Sequence, residues 1–156
     1  MNQKKDTHFG YETIDKQDKN KKVGAVFSSV ATNYDLMNNL MSMGLHHVWK
    51  KILIETTTLK ANSKILDIAA GTADISIEFL KKNKGFEIFH TDINLAMLKE
   101  GEKKLTNQGK ITPSILCDAE ALPFPNNYFD CVTIGFGLRN MTNKANKIPL
   151  IIALTA

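Results

Sequence analysis

The sequence of 156 residues lacks the patterns by which several classes of protein are identified. Its two cysteines, Cys117 and Cys131, stand in apolar runs without CxxC or Cys/His spacing, so we predict reduced core thiols, no disulfide and no metal site. No apolar run reaches the roughly 20 residues of a membrane span, and none follows the first basic residues as in a signal peptide. We therefore expect a cytoplasmic protein that is soluble or lies on a membrane surface.

The chain also has little net charge of either sign. The formal net charge is +4, and much of the excess falls within the first 22 residues, where lysines mix with acids. Such a run is typical of a solvated, poorly ordered leader, and no interleaved basic and aromatic residues accompany it, so we predict no nucleic-acid partner. With 43% hydrophobic residues, the rest of the chain can bury the core of one domain.

Residues 23–55 have helical spacing that breaks near Gly44, and a second helix opens at His46. Two interpretations of this pair of helices stay open. The helices either pack on the domain or form a lid over an apolar ligand, because long flexible side chains suit an adaptable binding surface. The residues behind the second interpretation are Leu36, Met37, Leu40, Met41 and Met43.

Strands and helices alternate after residue 60. We predict strands at 64–68, 87–91, 112–117 and 129–135, a helix at 73–82 and another helix capped by Asn94. This alternation indicates an α/β fold with a doubly wound, mostly parallel sheet. Ligands bind such sheets beyond the carboxyl ends of the strands, where this sequence has Asp67, Asp92, Asp118 and Gly135.

The stretch from 65 to 74 is the strongest candidate for a cofactor loop, although small residues at such a turn can also serve packing alone. It passes from a strand ending in Asp67 through Gly71 and Thr72 into a helix. It matches the dinucleotide fingerprint G-x-G-x-x-G poorly, which leaves a nicotinamide-dependent oxidoreductase as a weaker alternative. An acid followed by small residues suits S-adenosylmethionine, with Asp92 holding the ribose diol and Asp118-Ala119 meeting the adenine.

The chain resembles the bacterial ubiquinone/menaquinone biosynthesis C-methyltransferase family from about residue 7 to residue 142. The match lies in VFSSVA at 26–31, DIAAGTAD at 67–74, DIN at 92–94, AEALPFP at 119–125 and FGLRN at 136–140. The resemblance implies the Rossmann-like fold of class I S-adenosylmethionine-dependent methyltransferases. It also implies C-methylation of a polyprenyl hydroquinone, work at the inner face of the membrane, and cofactor contacts at Thr72, Asp92, Asp118, Ala119 and Gly135.

The resemblance also suggests catalytic residues and a division of the chain. Arg139 and Asn140 are the candidates for orienting the substrate hydroxyl or stabilising a phenolate. We divide the chain into a polar leader (1–22), a helical lid (23–60), a cofactor-binding core (61–143) and an atypical tail (144–156). The general base, the oligomeric state and the choice between benzoquinol and naphthoquinol stay open.

Three departures from the family pattern bear on activity. Ala70 and Ala73 stand where the family usually has glycine, and Gly135 replaces a usual serine. After Asn143 the chain lacks the family's next helix, Pro-Gly-Gly turn and three strands. We therefore expect an incomplete four-stranded sheet whose fourth strand is uncovered, as in a truncated or frameshifted product. The alternative function is a non-catalytic remnant that binds the cofactor weakly or not at all.

Overall fold

The computed structural model describes residues 6–9, 12–34, 36–37, 40, 43, 45–135 and 151–154. A two-stranded antiparallel sheet of β1 (Asp6–Phe9) and β2 (Glu12–Asp15) opens the chain. The helices are α1 (Lys16–Val30), α2 (Leu45–Thr56), α3 (Asp74–Lys81) and α4 (Leu95–Asn107), with a 3-10 turn at Ala31–Asn33. The remaining strands are β3 (Lys64–Ile68), β4 (Glu87–Asp92), β5 (Ser114–Leu116), β6 (Cys131–Gly135) and β7 (Ile151–Leu154).

Five of these strands form one parallel sheet in the order β5-β4-β3-β6-β7. The chain first builds outward from β3 to β5 and then crosses to β6 on the other side of β3. The prediction of a doubly wound parallel sheet is therefore confirmed. The switch in direction falls between β3 and β6, which is where such sheets place their ligands.

The expectation of an uncovered fourth strand is wrong. Residues Ile151–Leu154, from the segment predicted as an atypical tail, form β7 and pair in parallel with β6, with Val132 opposite Ile151. The physical reason is that β6 presents a row of unpaired backbone groups. A short run of β-branched and aliphatic residues can satisfy them.

The N-terminal region also differs from its prediction as a polar leader. It contains the β1–β2 hairpin, and α1 begins at Lys16 rather than near residue 23. The second helix agrees with the prediction, since α2 begins at Leu45, whereas the predicted break at Gly44 lies outside the described residues. Strand β5 is shorter than predicted, because Pro113 has no N–H to donate and only its carbonyl is bonded, to the His90 N–H.

Strand β3 is the centre of the core, and Ile65, Leu66, Asp67 and Ile68 are each at most 1% exposed. One face of the sheet packs on α2 and α3, with Leu53, Ile54 and Phe79 against Ile65. The other face packs on aromatic rings of the loop before β6. Within the part of the chain that the structure describes, no helix is long and apolar enough to span a membrane.

Candidate functional site

The loop between β3 and α3 has an unusual backbone. Ala69, Gly71 and Ala73 all have positive φ angles, of 50°, 56° and 65°. Ala70 is outside this left-handed region, so of the two alanines at usual glycine positions only Ala73 is strained. An alanine there costs about 1 kcal/mol relative to glycine. The methyl group of Ala73 is fully buried against Ile77, so it packs in the core instead of crowding the loop surface.

Asp67 lies beneath this loop and supports it from the protein interior. Its Oδ2 accepts hydrogen bonds from the Ser76 N–H at 3.1 Å and the Ser76 hydroxyl at 2.7 Å. Its Oδ1 accepts from the Thr133 hydroxyl at 3.0 Å. Burial raises the pKa of Asp67 to about 6, although these hydrogen bonds oppose the shift. The carboxylate thus joins β3, α3 and β6.

Asp92 ends β4 and faces the loop. Its Oδ2 accepts the Gly71 N–H at 2.8 Å, and its Oδ1 accepts the Asn94 N–H at 2.8 Å. Burial raises the pKa of this carboxyl above its ordinary value, and the backbone hydrogen bonds oppose the rise. A third backbone hydrogen bond, from Ile93, acts on the same carboxyl, so Asp92 is anchored by the backbone on both sides of the loop contact.

His90 is a residue of the site that the sequence analysis missed. Its ring is fully buried, with Nε2 3.2 Å from the Gly71 carbonyl oxygen and Nδ1 3.3 Å from the Ser114 hydroxyl. Burial lowers the pKa of the imidazole, which favours the neutral ring. A histidine within an otherwise apolar strand segment, Ile-Phe-His-Thr, was the signal that could have revealed it.

Asn94 is the helix cap that the sequence predicted, and it has a second role as well. Its side-chain oxygen accepts from the N–H groups of Ala96 and Met97. Its side-chain amide donates to the Gly24 carbonyl at 2.9 Å and to the Ser28 hydroxyl at 3.0 Å, which docks α1 against the start of α4. A cavity of about 540 Å³ opens at this junction, and Ile93 and Lys99 also line it.

Asp74 begins α3 and pairs with two lysines from other helices. Lys50 of α2 donates to Oδ2 at 2.5 Å, and Lys104 of α4 donates to Oδ1. Burial alone would raise the pKa of Asp74, but the two ammonium groups outweigh it and hold the pKa below its usual value. Both oxygens of the Asp74 carboxylate are therefore paired within the protein.

The other predicted cofactor residues occupy the same edge of the sheet. Thr72 is buried in the loop, and Gly135 ends β6 beside Ile75. Asp118 is exposed after β5, with Oδ1 accepting the Glu120 N–H at 2.9 Å. Ala119 packs, half-buried, on the apolar face of the sheet. The predicted catalytic residues, Arg139 and Asn140, lie outside the described residues.

Solved structures define the class of fold. The chain superimposes on the [4+2]-cyclase SpnF with a TM-score of 0.66 and 17% identity, over 78% of this chain and 51% of that one. It also superimposes on a putative S-adenosyl-L-methionine-dependent methyltransferase from Methanococcus maripaludis, with a TM-score of 0.57 and 20% identity, over 72% and 51% of the two chains. Likeness at this level of identity shows the fold, which is the Rossmann-like class I methyltransferase fold.

The family follows from closer relatives. Residues 15–152 match the ubiE/COQ5 methyltransferase family, and the chain belongs to that family. The curated Ubiquinone/menaquinone biosynthesis C-methyltransferase UbiE of Paraburkholderia phymatum is 57% identical over 139 residues, which cover 88% of this chain. The match covers 57% of that relative, so the chain spans little more than half the length of the curated proteins it matches.

Proposed function

We propose that this chain is an S-adenosylmethionine-dependent C-methyltransferase that acts on a polyprenyl hydroquinone in ubiquinone and menaquinone biosynthesis. The proposal rests on membership of the ubiE/COQ5 family and on the activity for which the 56–57% identical relatives are named. The structural observation that carries it is the contact between Asp92 and Gly71 at the carboxyl ends of β3 and β4. The bound cofactor would supply an electrophilic sulfonium methyl group.

The chemistry of Asp92 fits the ribose of this cofactor. A ribose presents two adjacent hydroxyl donors, and a carboxylate, which can only accept, suits such a pair. The Gly71 and Asn94 N–H groups hold one oxygen each and so fix the carboxylate at the end of β4. An anchored acceptor at this position suits a diol, and the residues present fit the group.

The start of α3 fits a cofactor without phosphates. A dinucleotide places its pyrophosphate on free N–H groups at a helix N-terminus. Here the Ser76 N–H is taken by Asp67, and the acidic residue Asp74 begins the helix. One N–H group that a pyrophosphate could use is therefore occupied, and a carboxylate begins the helix, which disfavours the nicotinamide-dependent alternative.

The remaining roles follow the sequence predictions. Thr72 and Gly135 would line the methionine end of the cofactor, and Asp118 with Ala119 would face the adenine. Arg139 and Asn140 would orient the substrate hydroxyl or stabilise its phenolate, which makes the ring carbon nucleophilic. Asp67 and Asp74 would support this site from within, because their carboxylates are bonded to protein groups.

The substrate's prenyl tail would lie on the N-terminal helices, which supports contact with the cytoplasmic face of the membrane. Leu36, Leu40 and Met43 are 69%, 81% and 82% exposed. On α2, Val48 and Trp49 also expose more than half of their surface. Exposed apolar side chains of this density suit an apolar ligand or the surface of a lipid bilayer.

Calorimetry with S-adenosylhomocysteine tests the cofactor assignment. We expect Asp92→Ala to abolish measurable binding, because the ribose loses its acceptor. Glu55→Ala, which removes an exposed carboxylate on α2, serves as the matched control and should leave the affinity unchanged. Melting curves of both variants would separate loss of binding from loss of the fold. An unaltered affinity in a folded Asp92→Ala protein would refute the ribose role.

A second candidate is a domain that binds the cofactor without transferring a methyl group. The observation behind it is Gly135, which stands where the family resemblance implies a serine and therefore offers no side-chain hydrogen bond to the cofactor. A tritiated-methyl assay with a short-tailed demethyl quinol decides between the two. Incorporation of label by the 156-residue chain would exclude the second candidate. Binding of S-adenosylhomocysteine without incorporation would favour it.

A further inference from the structure

We propose that His90 is a positioning residue for the cofactor loop, and that it sets cofactor affinity by fixing the orientation of the peptide groups of Gly71. This inference rests on the proposed function for its effect on cofactor binding. Its structural part, the control of Gly71 by His90, stands on the contacts of the free protein.

His90 and Asp92 act on the same residue from one strand. They are two positions apart on β4, so their side chains leave the same face of the sheet. Asp92 accepts the N–H of Gly71, and the His90 ring reaches the carbonyl of Gly71. These two groups belong to the peptide planes on either side of the Gly71 Cα. Together they fix both planes at a residue whose φ angle is +56°.

The contacts of the ring define its tautomer. A carbonyl oxygen can only accept, so the Gly71 contact requires a proton on Nε2. Nδ1 is then an acceptor, and the Ser114 hydroxyl at 3.3 Å can donate to it. The low pKa that burial gives His90 agrees with this neutral form. Ser114 of β5 thereby orients the ring that holds the loop.

The packing around the ring leaves little room for another arrangement. Gly101 of α4 lies against it, and a Cβ at that position would be 2.5 Å from His90 Cε1 and 2.7 Å from the Gly71 carbonyl oxygen. Helix α4 therefore closes over the contact between the ring and the carbonyl. An aliphatic side chain at position 90 could fill this space but could not donate to Gly71. The loop would then lose one of the two bonds that orient it, and Asp92 would face a less ordered partner.

Three variants separate positioning from packing. His90→Leu removes the donor and keeps apolar volume. His90→Gln places an amide N–H near the position of Nε2. Ile88→Val, on the same strand, reduces core packing without touching the loop and serves as the control. Each variant is compared with the wild-type chain by amide hydrogen exchange at Gly71 in the free protein, by calorimetry with S-adenosylhomocysteine and by thermal melting.

We expect His90→Leu to accelerate exchange at Gly71 and to weaken S-adenosylhomocysteine binding about tenfold, the effect of losing one orienting hydrogen bond. His90→Gln should keep most of the slow exchange at Gly71 and most of the affinity for S-adenosylhomocysteine. Ile88→Val should lower the melting temperature alone. Equal losses in the Leu and Gln variants, or unchanged exchange at Gly71 in His90→Leu, would overturn the proposal. If the wild-type chain does not bind S-adenosylhomocysteine, the proposed function fails, whereas the exchange at Gly71 still decides the role of His90.

Discussion

Lys50 Nζ lies 2.5 Å from Asp74 Oδ2, and the two side chains are only 8% and 15% exposed. Lys50 belongs to α2, and Asp74 is the first residue of α3, directly after the cofactor loop. The second oxygen of Asp74 accepts from Lys104 of α4. One carboxylate thus joins three helices around the loop. Because the pair is largely shielded from water, each partner depends on the other for compensation of its charge.

We predict that Asp74→Asn destabilises the protein by about 3 kcal/mol, because it leaves Lys50 buried without a counter-charge. The two ammonium groups lower the pKa of Asp74 in the folded state. The ionised carboxylate therefore adds to the free energy of unfolding above the ordinary carboxyl pKa, and this addition is lost as the pH falls through the lowered pKa. Urea unfolding at pH 7 measures the loss. Lys51→Met is the control, since its pair with Glu55 is exposed, and it should change stability by under about 0.5 kcal/mol. Equal effects of the two variants would contradict the prediction.

Gly24 and Gly101, which lie inside described helices, should respond in opposite directions to alanine. Gly101→Ala would place a methyl group 2.5 Å from His90 Cε1 and 2.7 Å from a backbone oxygen, so we expect a loss of roughly 1–3 kcal/mol. Gly24→Ala on α1 meets nothing within 4 Å and should stabilise the chain by up to about 1 kcal/mol through helix propensity. Thermal unfolding compares the variants. A stable Gly101→Ala protein would show that α4 can move away from the loop without cost.

Asp67 should make stability decrease as the pH rises. The pKa of Asp67 is about 6 in the folded protein and 3.8 in the unfolded chain. The protonated carboxyl therefore adds its full contribution to the free energy of unfolding below pH 3.8, and this contribution is lost as the pH rises through 6. The full shift corresponds to about 3 kcal/mol. Relative to the wild type, Asp67→Asn should therefore gain about 2 kcal/mol in its free energy of unfolding between pH 4.5 and pH 7.5, measured by urea unfolding.

Ser76→Ala provides the matched variant for this test. It removes the hydroxyl that donates to the ionised Asp67 at 2.7 Å, so the pKa of Asp67 should rise further. The fall of stability with pH should then be steeper than in the wild type. If the difference between Asp67→Asn and the wild type does not vary with pH, Asp67 does not have a raised pKa in the folded protein.

Asn94→Ala should release α1 from the site as well as weaken α4. Loss of the cap costs about 1 kcal/mol, and the bonds to the Gly24 carbonyl and the Ser28 hydroxyl are lost with it. We expect faster cleavage of α1 in limited proteolysis. Ser28→Ala removes part of the contact with α1 but keeps the cap, so it should increase cleavage with a smaller loss of stability. Unchanged proteolysis in both variants would mean that Asn94 does not hold α1.

The secondary-structure elements, and the edge of the sheet at which the site lies, could be predicted from the residues alone. Periodicity, caps and turns are local, so the alternation of strands and helices, the Asn94 cap and the acids at the ends of β3 and β4 could be predicted without a structure. The motifs from 26–31 to 136–140 identified the family in the same way.

Which side chains face the loop, and which support it from within, depends on the tertiary fold and could not be predicted from the sequence. Asp67 and Asp92 are alike in sequence, since each is an acid near the end of an apolar strand. In the fold, Asp67 is enclosed by Ser76 and Thr133, whereas Asp92 meets the Gly71 N–H. The contacts of His90 with Gly71 and of Lys50 with Asp74 span 19 and 24 residues, and β7 pairs with a strand that ends 16 positions before it. Such residues come into contact only when the sheet brings distant segments together, so these contacts could not be predicted from local sequence patterns.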